Sequence, residues 1–287
     1  MRKKTLLWLS VGALLVLLGG AIFFGALVAA NFDFLKFTTS KYEDRTYEIT
    51  EDFTSISILA STADVLIVPT DGTVARVECR ELKNVTHTVA VKDGVLTVEE
   101  KDTRAWYEHI GITFGLQQQV TVYLPEGLWQ ALTVRASTSD VRVSWLTFGA
   151  IDVALSTGDV EIRNATCTGA VTLVASTGDV EFENVTCAAL LTKADTGDLA
   201  MERVIVSGEL AVERDTGDVE LEACDAATIR IKTSTGDVEG TFLTDKTFAV
   251  QTGTGRKRVP QGTSGGLCEI TTSTGDIEIR IGSYDED

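Results

Sequence analysis

The chain has 287 residues, with 25 Lys and Arg against 42 Asp and Glu, a net charge of −17, 44% hydrophobic residues and 3 prolines. That length holds one large domain or two modest ones, and an apolar content this high with so little proline excludes a disordered chain. The acidity argues against nucleic acid and bare anionic lipid as partners, and suits cations or the outside of a cell.

MRKK opens the chain, and residues 5–30, TLLWLSVGALLVLLGGAIFFGALVAA, carry no charge. Roughly 20 apolar residues cross a bilayer, so 1–30 reads as a transmembrane anchor. Arg2, Lys3 and Lys4 mark its cytoplasmic end and place the rest outside. A cleaved signal peptide ending at Val28-Ala29-Ala30 is the rival reading, although signal h-regions run only about 7–15 residues. Without Arg2, Lys3 and Lys4, the remainder has 22 basic residues against the same 42 acidic ones, a net of −20. Residues 31–44 read as a short stalk.

Residues 45–125 read as a β-rich cap. In FTSISILASTADVLIVP (53–69), Ile56 and Ile58 precede a turn at Ser61-Thr62-Ala63-Asp64, and Val65 and Ile67 follow it. VAVKDGVLTVEE (89–100) reads as a hairpin turning at Asp93-Gly94, and QVTVYLP (119–125) as a further strand. Between them, TRAWYEHIGITFG (103–115) is irregular and aromatic.

From 126 to 287 one phrase recurs: LSTGDVEIRN, ASTGDVEFEN, TSTGDVEG, TSTGDIEIR. Its turn residues are Asp140, Asp159, Asp179, Asp198, Asp218, Asp237, Arg256 and Asp276, at steps of 19 or 20. Apolar residues alternate on both sides of the turn, as in Leu132 and Val134 before Asp140, and Val141 and Val143 after it. Each copy therefore reads as two short strands with one face inward. Such a copy cannot bury its face alone, but stacked copies can, with like residues forming ladders. The expected fold is all-β: a parallel β-solenoid of about 19–20 residues and two short strands per coil, right-handed, about 38 Å long at roughly 4.8 Å per coil. The extra residue of the longer copies falls in connections such as NATCTGA (164–170), where it leaves strand register intact. Gly supplies the positive φ of the corner, Asp accepts backbone hydrogen bonds, and a Thr row two residues before the corner invites stacked hydroxyl bonds. The terminal GSYDED (282–287) places charge beyond the last strand and discourages end-to-end pairing.

ISILASTADVLIVPTDG, VLTVEE, VTVYLPEG and the recurring STGDVEI together resemble a bacterial family of envelope-associated β-strand repeat proteins, the DUF4097 group, often labelled adhesins. The resemblance covers about residues 45–281. It implies a β-solenoid in the bacterial envelope, sometimes linked to envelope-stress operons, and supplies no catalytic residue.

The chemistry-bearing residues are mostly repetitive. Asp159, Asp179, Asp198, Asp218 and Asp237, with Glu161, Glu181, Glu220, Glu239 and Glu278 two residues past the corner, form acidic rows. They read as turn chemistry on a solvated face, or as a row of weak cation sites for calcium. No other cofactor is implied. Paired carboxylates also admit a glycosidase or lyase, but a catalytic site is singular and these acids recur on every coil. Arg256, Lys257 and Arg258 break the rule. They read as a decayed, distorted or looped-out coil, or as a contact for an anionic envelope polymer or a partner protein. Cys79, Cys167, Cys187, Cys224 and Cys268 contain no CxxC pair and read as small buried hydrophobes, with a disulfide between Cys167 and Cys187 as the alternative. His87 and His109 read as surface or hairpin residues, and Asn84, Asn164 and Asn184 in Asn-x-Thr triplets receive no role. The expectation is a non-enzymatic adhesion, scaffold or ligand-binding module, held on the bacterial membrane by its N-terminal helix. An envelope-stress accessory acting on a membrane protein, and a carbohydrate-active enzyme, are the alternatives.

Overall fold

The computed structural model describes residues 2–29, 42–104, 118–261 and 264–282. Helix α1 (Arg2–Ala29) forms where the uncharged run predicts it. Among the described residues, however, no helix is long and apolar enough to cross a membrane. Most of the expected stalk (31–41), the aromatic segment from 105 to 115, His109 and the tail 283–287 lie outside the described residues. The stalk's last residues are strand, because β1 runs Tyr42–Ile49.

Glu43–Thr103 and Gln118–Asp287 form one compact unit, and its described residues are all-β. Chain order within it gives β2 (Ser55–Ala60), β3 (Asp64–Thr70), β4 (Ala75–Leu82), β5 (Val85–Lys92), β6 (Val95–Asp102), β7 (Gln119–Pro125), β8 (Leu128–Thr138), β9 (Val141–Ser144), β10 (Thr147–Thr157), β11 (Val160–Thr177), β12 (Val180–Thr196) and β13 (Leu199–Glu202). There follow β14 (Ile205–Thr216), β15 (Val219–Thr235), β16 (Val238–Phe242), β17 (Lys246–Thr254), β18 (Lys257–Arg258), β19 (Gly266–Thr274) and β20 (Ile277–Ile281).

Through the repeats, each strand pairs in parallel with its counterpart one copy away. Val160 lies opposite Val180, Ile162 opposite Phe182 and Leu173 opposite Thr192. The apolar rows are buried: Val134, Val153, Leu173 and Val212 show at most 1% exposure, and Thr192 is buried with them. At roughly 25 cal/mol per Å², such continuous burial is the main stabilising term, and no single copy could supply it.

Copies such as those of Asp159 and Asp179 have three paired segments rather than the two expected. Segment 164–170, read as a connection, carries Ala165 and Cys167, both buried and aligned with Val185 and Cys187. Two corners bracket this extra strand. At one, Trp145, Asn164, Asn184, Arg203 and Ala223 all adopt positive φ between 50° and 61°. Asn184 Nδ2 donates to Asn164 Oδ1 at 2.9 Å, so these two Asn-x-Thr triplets, unlike that of Asn84, mark a corner ladder. The other corner uses small residues such as Gly169, where an added Cβ would meet the Gly149 oxygen at 2.5 Å. The length difference between copies is absorbed there, where the register shifts between Cys167 and Ala170.

The expected cap is continuous with the repeats. β2 and β3 pair in parallel with β8 and β9, placing Ile56 opposite Leu132 and Val65 opposite Val141. On their other side β2 and β3 pair in parallel with β6 and β7. β4 and β5 then cover this end in antiparallel pairing with β7 and β6, and β1 pairs with β4. Asp93 and Gly94 turn the β5–β6 hairpin at φ 52° and 77°, as read from the sequence.

Chain order and spatial order part company at the far end too. β19 pairs with both β15 and β17, and β20 with both β16 and β18. The Asp276 copy thus inserts between the Asp237 and Arg256 copies. The last strand is internal, and the edge is made by β17 and β18. On this edge Arg256, Lys257, Arg258 and Pro260 supply the charge and the proline that discourage further pairing.

Candidate functional site

The Thr-Gly-Asp corners are built by a backbone ladder. Gly178 has φ 138°, and an added Cβ would lie 2.0 Å from the Gly158 oxygen, so two independent constraints demand glycine. The Thr row aligns, Thr157 opposite Thr177, and its ladder bond is a backbone one: Gly158 N donates to Thr177 O at 3.0 Å. The Asp side chains then link the copies. Asp179 N donates to Asp159 Oδ1 at 2.9 Å, Asp198 N to Asp179 Oδ1 at 2.8 Å, Asp218 N to Asp198 Oδ1 at 2.8 Å, and Asp237 N to Asp218 Oδ1 at 2.8 Å. The row begins at Asp64, which accepts from Asp140 N, and ends with Asp276 N on Asp237 Oδ1 and Arg256 N on Asp276 Oδ1.

This ladder explains the one Arg. Arg256 occupies the terminal rung, where no further copy needs a carboxylate. Its Nε and Nη2 instead reach back to Asp276 Oδ2 at 2.9 and 2.7 Å. The Arg256 backbone bond and then its side chain hold the Asp276 carboxyl below its ordinary value. Lys257 and Arg258 are not looped out: they form β18, paired with Ile277 and Glu278. Both are exposed, so Lys257 at a core position costs little on an edge. Arg258 pairs with Glu278 at 3.3 Å.

The sequence-predicted residues therefore form two groups. The five Asp lie in one row, beside a 340 Å³ hollow that Asp159, Asp179 and Asp198 share with Arg142, Glu161 and Glu181. Arg142 and Arg163 partly neutralise it, Arg163 reaching Glu161, Glu181 and Glu183 at 2.9, 2.8 and 3.2 Å. The Arg256–Arg258 group lies apart, on the terminal edge.

A larger concavity was not evident from the sequence. A groove of 740 Å³ opens over β14, β15, β19 and β17. Ala211 and Ala249 keep parts of its lining low, while Glu213, Lys232 and Gln251 stand on it. Arg230 aligns with Ala211 on one side and Glu269 on the other. Its Nε donates to Glu269 Oε2 at 2.9 Å, and its Nη1 bonds Glu209. Glu269 first, then Glu209, raise the Arg230 pKa above its ordinary value. Outside this lining Lys193 pairs with Glu213 at 3.1 Å and continues the row of alternating charge. The groove exists because β19 is inserted: it brings Glu269 and Thr271 beside Arg230 and Lys232. No sequential stacking would have placed them there.

The cysteines are all buried free thiols, as the hydrophobe reading expects; Cys167 and Cys187 are register neighbours without a disulfide. Burial pushes the Cys187 thiol up to about 12. His87 is in the hairpin but not on the surface, being 5% exposed.

The Toastrack DUF4097 family model matches twice, over residues 53–191 and 168–285. No curated protein matches. Among solved structures, a "putative adhesin" from Bacteroides fragilis NCTC 9343 is similar at 16% identity and TM-score 0.51, covering 84% of this chain and 97% of its own. A "putative adhesin" from Parabacteroides distasonis ATCC 8503 gives 13% identity, TM-score 0.46 and coverages of 83% and 98%. A "putative lipid binding protein" from the same organism gives 12%, 0.33, 85% and 98%. At such identities the first likeness speaks for the fold.

Proposed function

The chain belongs to the Toastrack DUF4097 family, and from that premise we propose that it is a non-enzymatic binding module of the bacterial envelope, wound as a parallel β-solenoid. The groove over β14, β15, β19 and β17 carries the reading. It is open and lined on four neighbouring strands by side-chain donors and acceptors. Such a surface suits an extended polar polymer, with Arg230, Lys232, Glu213 and Gln251 offering hydrogen bonds along its length. An envelope glycan has that chemistry. The adhesin label on the Bacteroides fragilis structure is in keeping with it.

The uncharged run of residues 5–30 supports attachment to the membrane, with Arg2, Lys3 and Lys4 inside and the β unit outside. A stack in which every corner is tied to the next by backbone bonds serves as a stiff mount for such a surface. The repetition of the carboxylates supports a non-catalytic role.

Co-sedimentation of the purified chain with insoluble wall glycan tests the proposal. Arg230→Ala combined with Lys232→Ala should abolish binding, while Arg256→Glu, Lys257→Glu and Arg258→Glu together should leave it intact. Absence of binding by the unaltered chain, or binding indifferent to the groove substitutions, refutes the assignment. Loss only with the charge reversals moves the site to the basic edge.

A further inference from the structure

At the opposite end, strands β4 and β5 bring together three groups that the repeats do not use. Cys79 and Glu81 are two residues apart on β4 and so share a face. The chain turns after Leu82, which pairs with Val85, and β5 returns with His87. Relative exposures are 1% for Cys79, 1% for Glu81 and 5% for His87. One thiol sulfur, one carboxylate oxygen and one imidazole nitrogen from these residues all lie within 4.8 Å of one another.

We propose that Cys79, Glu81 and His87 form a buried site for a zinc-class divalent transition ion. The donor set decides the class. Thiolate and imidazole are borderline-soft ligands that suit zinc, whereas calcium and magnesium take oxygen alone. Zinc bonds of about 2.0–2.3 Å put tetrahedral ligands roughly 3.3–3.7 Å apart, so side-chain adjustments of about 1 Å close this cluster on an ion.

The imidazole of this cluster carries one unsatisfied nitrogen. His87 Nδ1 lies 3.2 Å from Glu81 Oε1, and His87 Nε2 is buried with no hydrogen-bond partner. A buried imidazole nitrogen without a partner is unfavourable. The supporting groups are already in place. His87 N donates to Glu81 Oε1 at 2.5 Å, and Arg45 Nε lies 3.1 Å from Glu81 Oε2. Tyr47 Oη donates to the His87 carbonyl at 3.5 Å. These contacts orient the carboxylate and hold the His87 strand, as outer contacts do at metal sites. Binding displaces the Cys79 thiol proton to solvent, leaving thiolate and carboxylate to balance the ion. Water takes the fourth position.

The test uses the purified full chain, stripped with chelator and titrated with Co²⁺. The expected result is one equivalent bound, with a thiolate-to-cobalt charge-transfer band that Zn²⁺ then abolishes. Cys79→Ser should remove the band and His87→Gln should weaken binding at least tenfold. Cys187→Ala, a buried thiol elsewhere, should change neither. Zn²⁺ should raise the melting temperature of the unaltered chain and not that of the Cys79→Ser chain. No band in the unaltered chain, or a band surviving in Cys79→Ser, overturns the proposal. Neither result requires a variant to remain fully stable.

Discussion

Gly197→Ala isolates the close approach that builds the corners. The residue has φ 126°, and an added Cβ would lie 2.1 Å from the Gly178 oxygen and 2.6 Å from its carbonyl carbon. The obstacle is backbone fixed in a ladder, so it cannot rotate away. Holding a non-glycine residue in this region costs about 1–3 kcal/mol. Forcing the next copy aside adds about 1–3 kcal/mol more. A total near 4 kcal/mol corresponds to a fall in melting temperature on the order of 10 °C for a unit of this size. Gly94→Ala is the matched control. Gly94 also has positive φ, 77°, but an added Cβ meets nothing within 4 Å. It should lose only about 1–2 kcal/mol. Thermal unfolding followed by circular dichroism measures both. Equal losses would show that conformation alone matters, and would refute the argument that stacked glycine carbonyls enforce the motif.

Asp198→Ala removes the acceptor for Asp218 N and should cost about 1 kcal/mol, while Asp198→Asn, which keeps an acceptor, should cost less; denaturant midpoints compare them. Asp64 titrates with the opposite sign to a salt-bridged acid. Its pKa is raised, first by burial, so the ionised form opposes folding at neutral pH and stability returns as pH falls through the folded-state pKa. Asp64→Asn should therefore raise the melting temperature at pH 7 and lose that advantage in acid. Cys187 and Cys268, both pushed up to about 12 mainly by burial, should resist alkylation at pH 8 in the native chain and react at once in denaturant. Millimolar calcium should leave the melting temperature unchanged, because the aligned Oδ1 atoms are occupied by backbone donors. A rise of several degrees would instead support cation sites along the Asp row.

Local pattern reached far into this fold. The 19–20-residue period, the Gly at all corners but that of Asp140, where Ser139 stands, and the alternation around them specify strands that align Val160 with Val180. These are short-range demands: φ at one residue, burial on one face, a hydrogen bond to the neighbouring copy. The third segment was less visible, because its buried residues, such as Ala165 and Cys167, are small and its corner residue varies from Asn164 to Arg203 and Ala223. The order of the copies lay beyond any local rule. Every copy presents the same edge, so Asp276 N bonds Asp237 as readily as Arg256 N would. Only the whole chain's packing chose to place β19 beside β15. That choice turned Arg256 from an aberration into a terminal rung and created the groove beside Arg230. At the other end, a local hairpin brings Cys79, Glu81 and His87 together, but only its packing over the end of the stack buries them away from water.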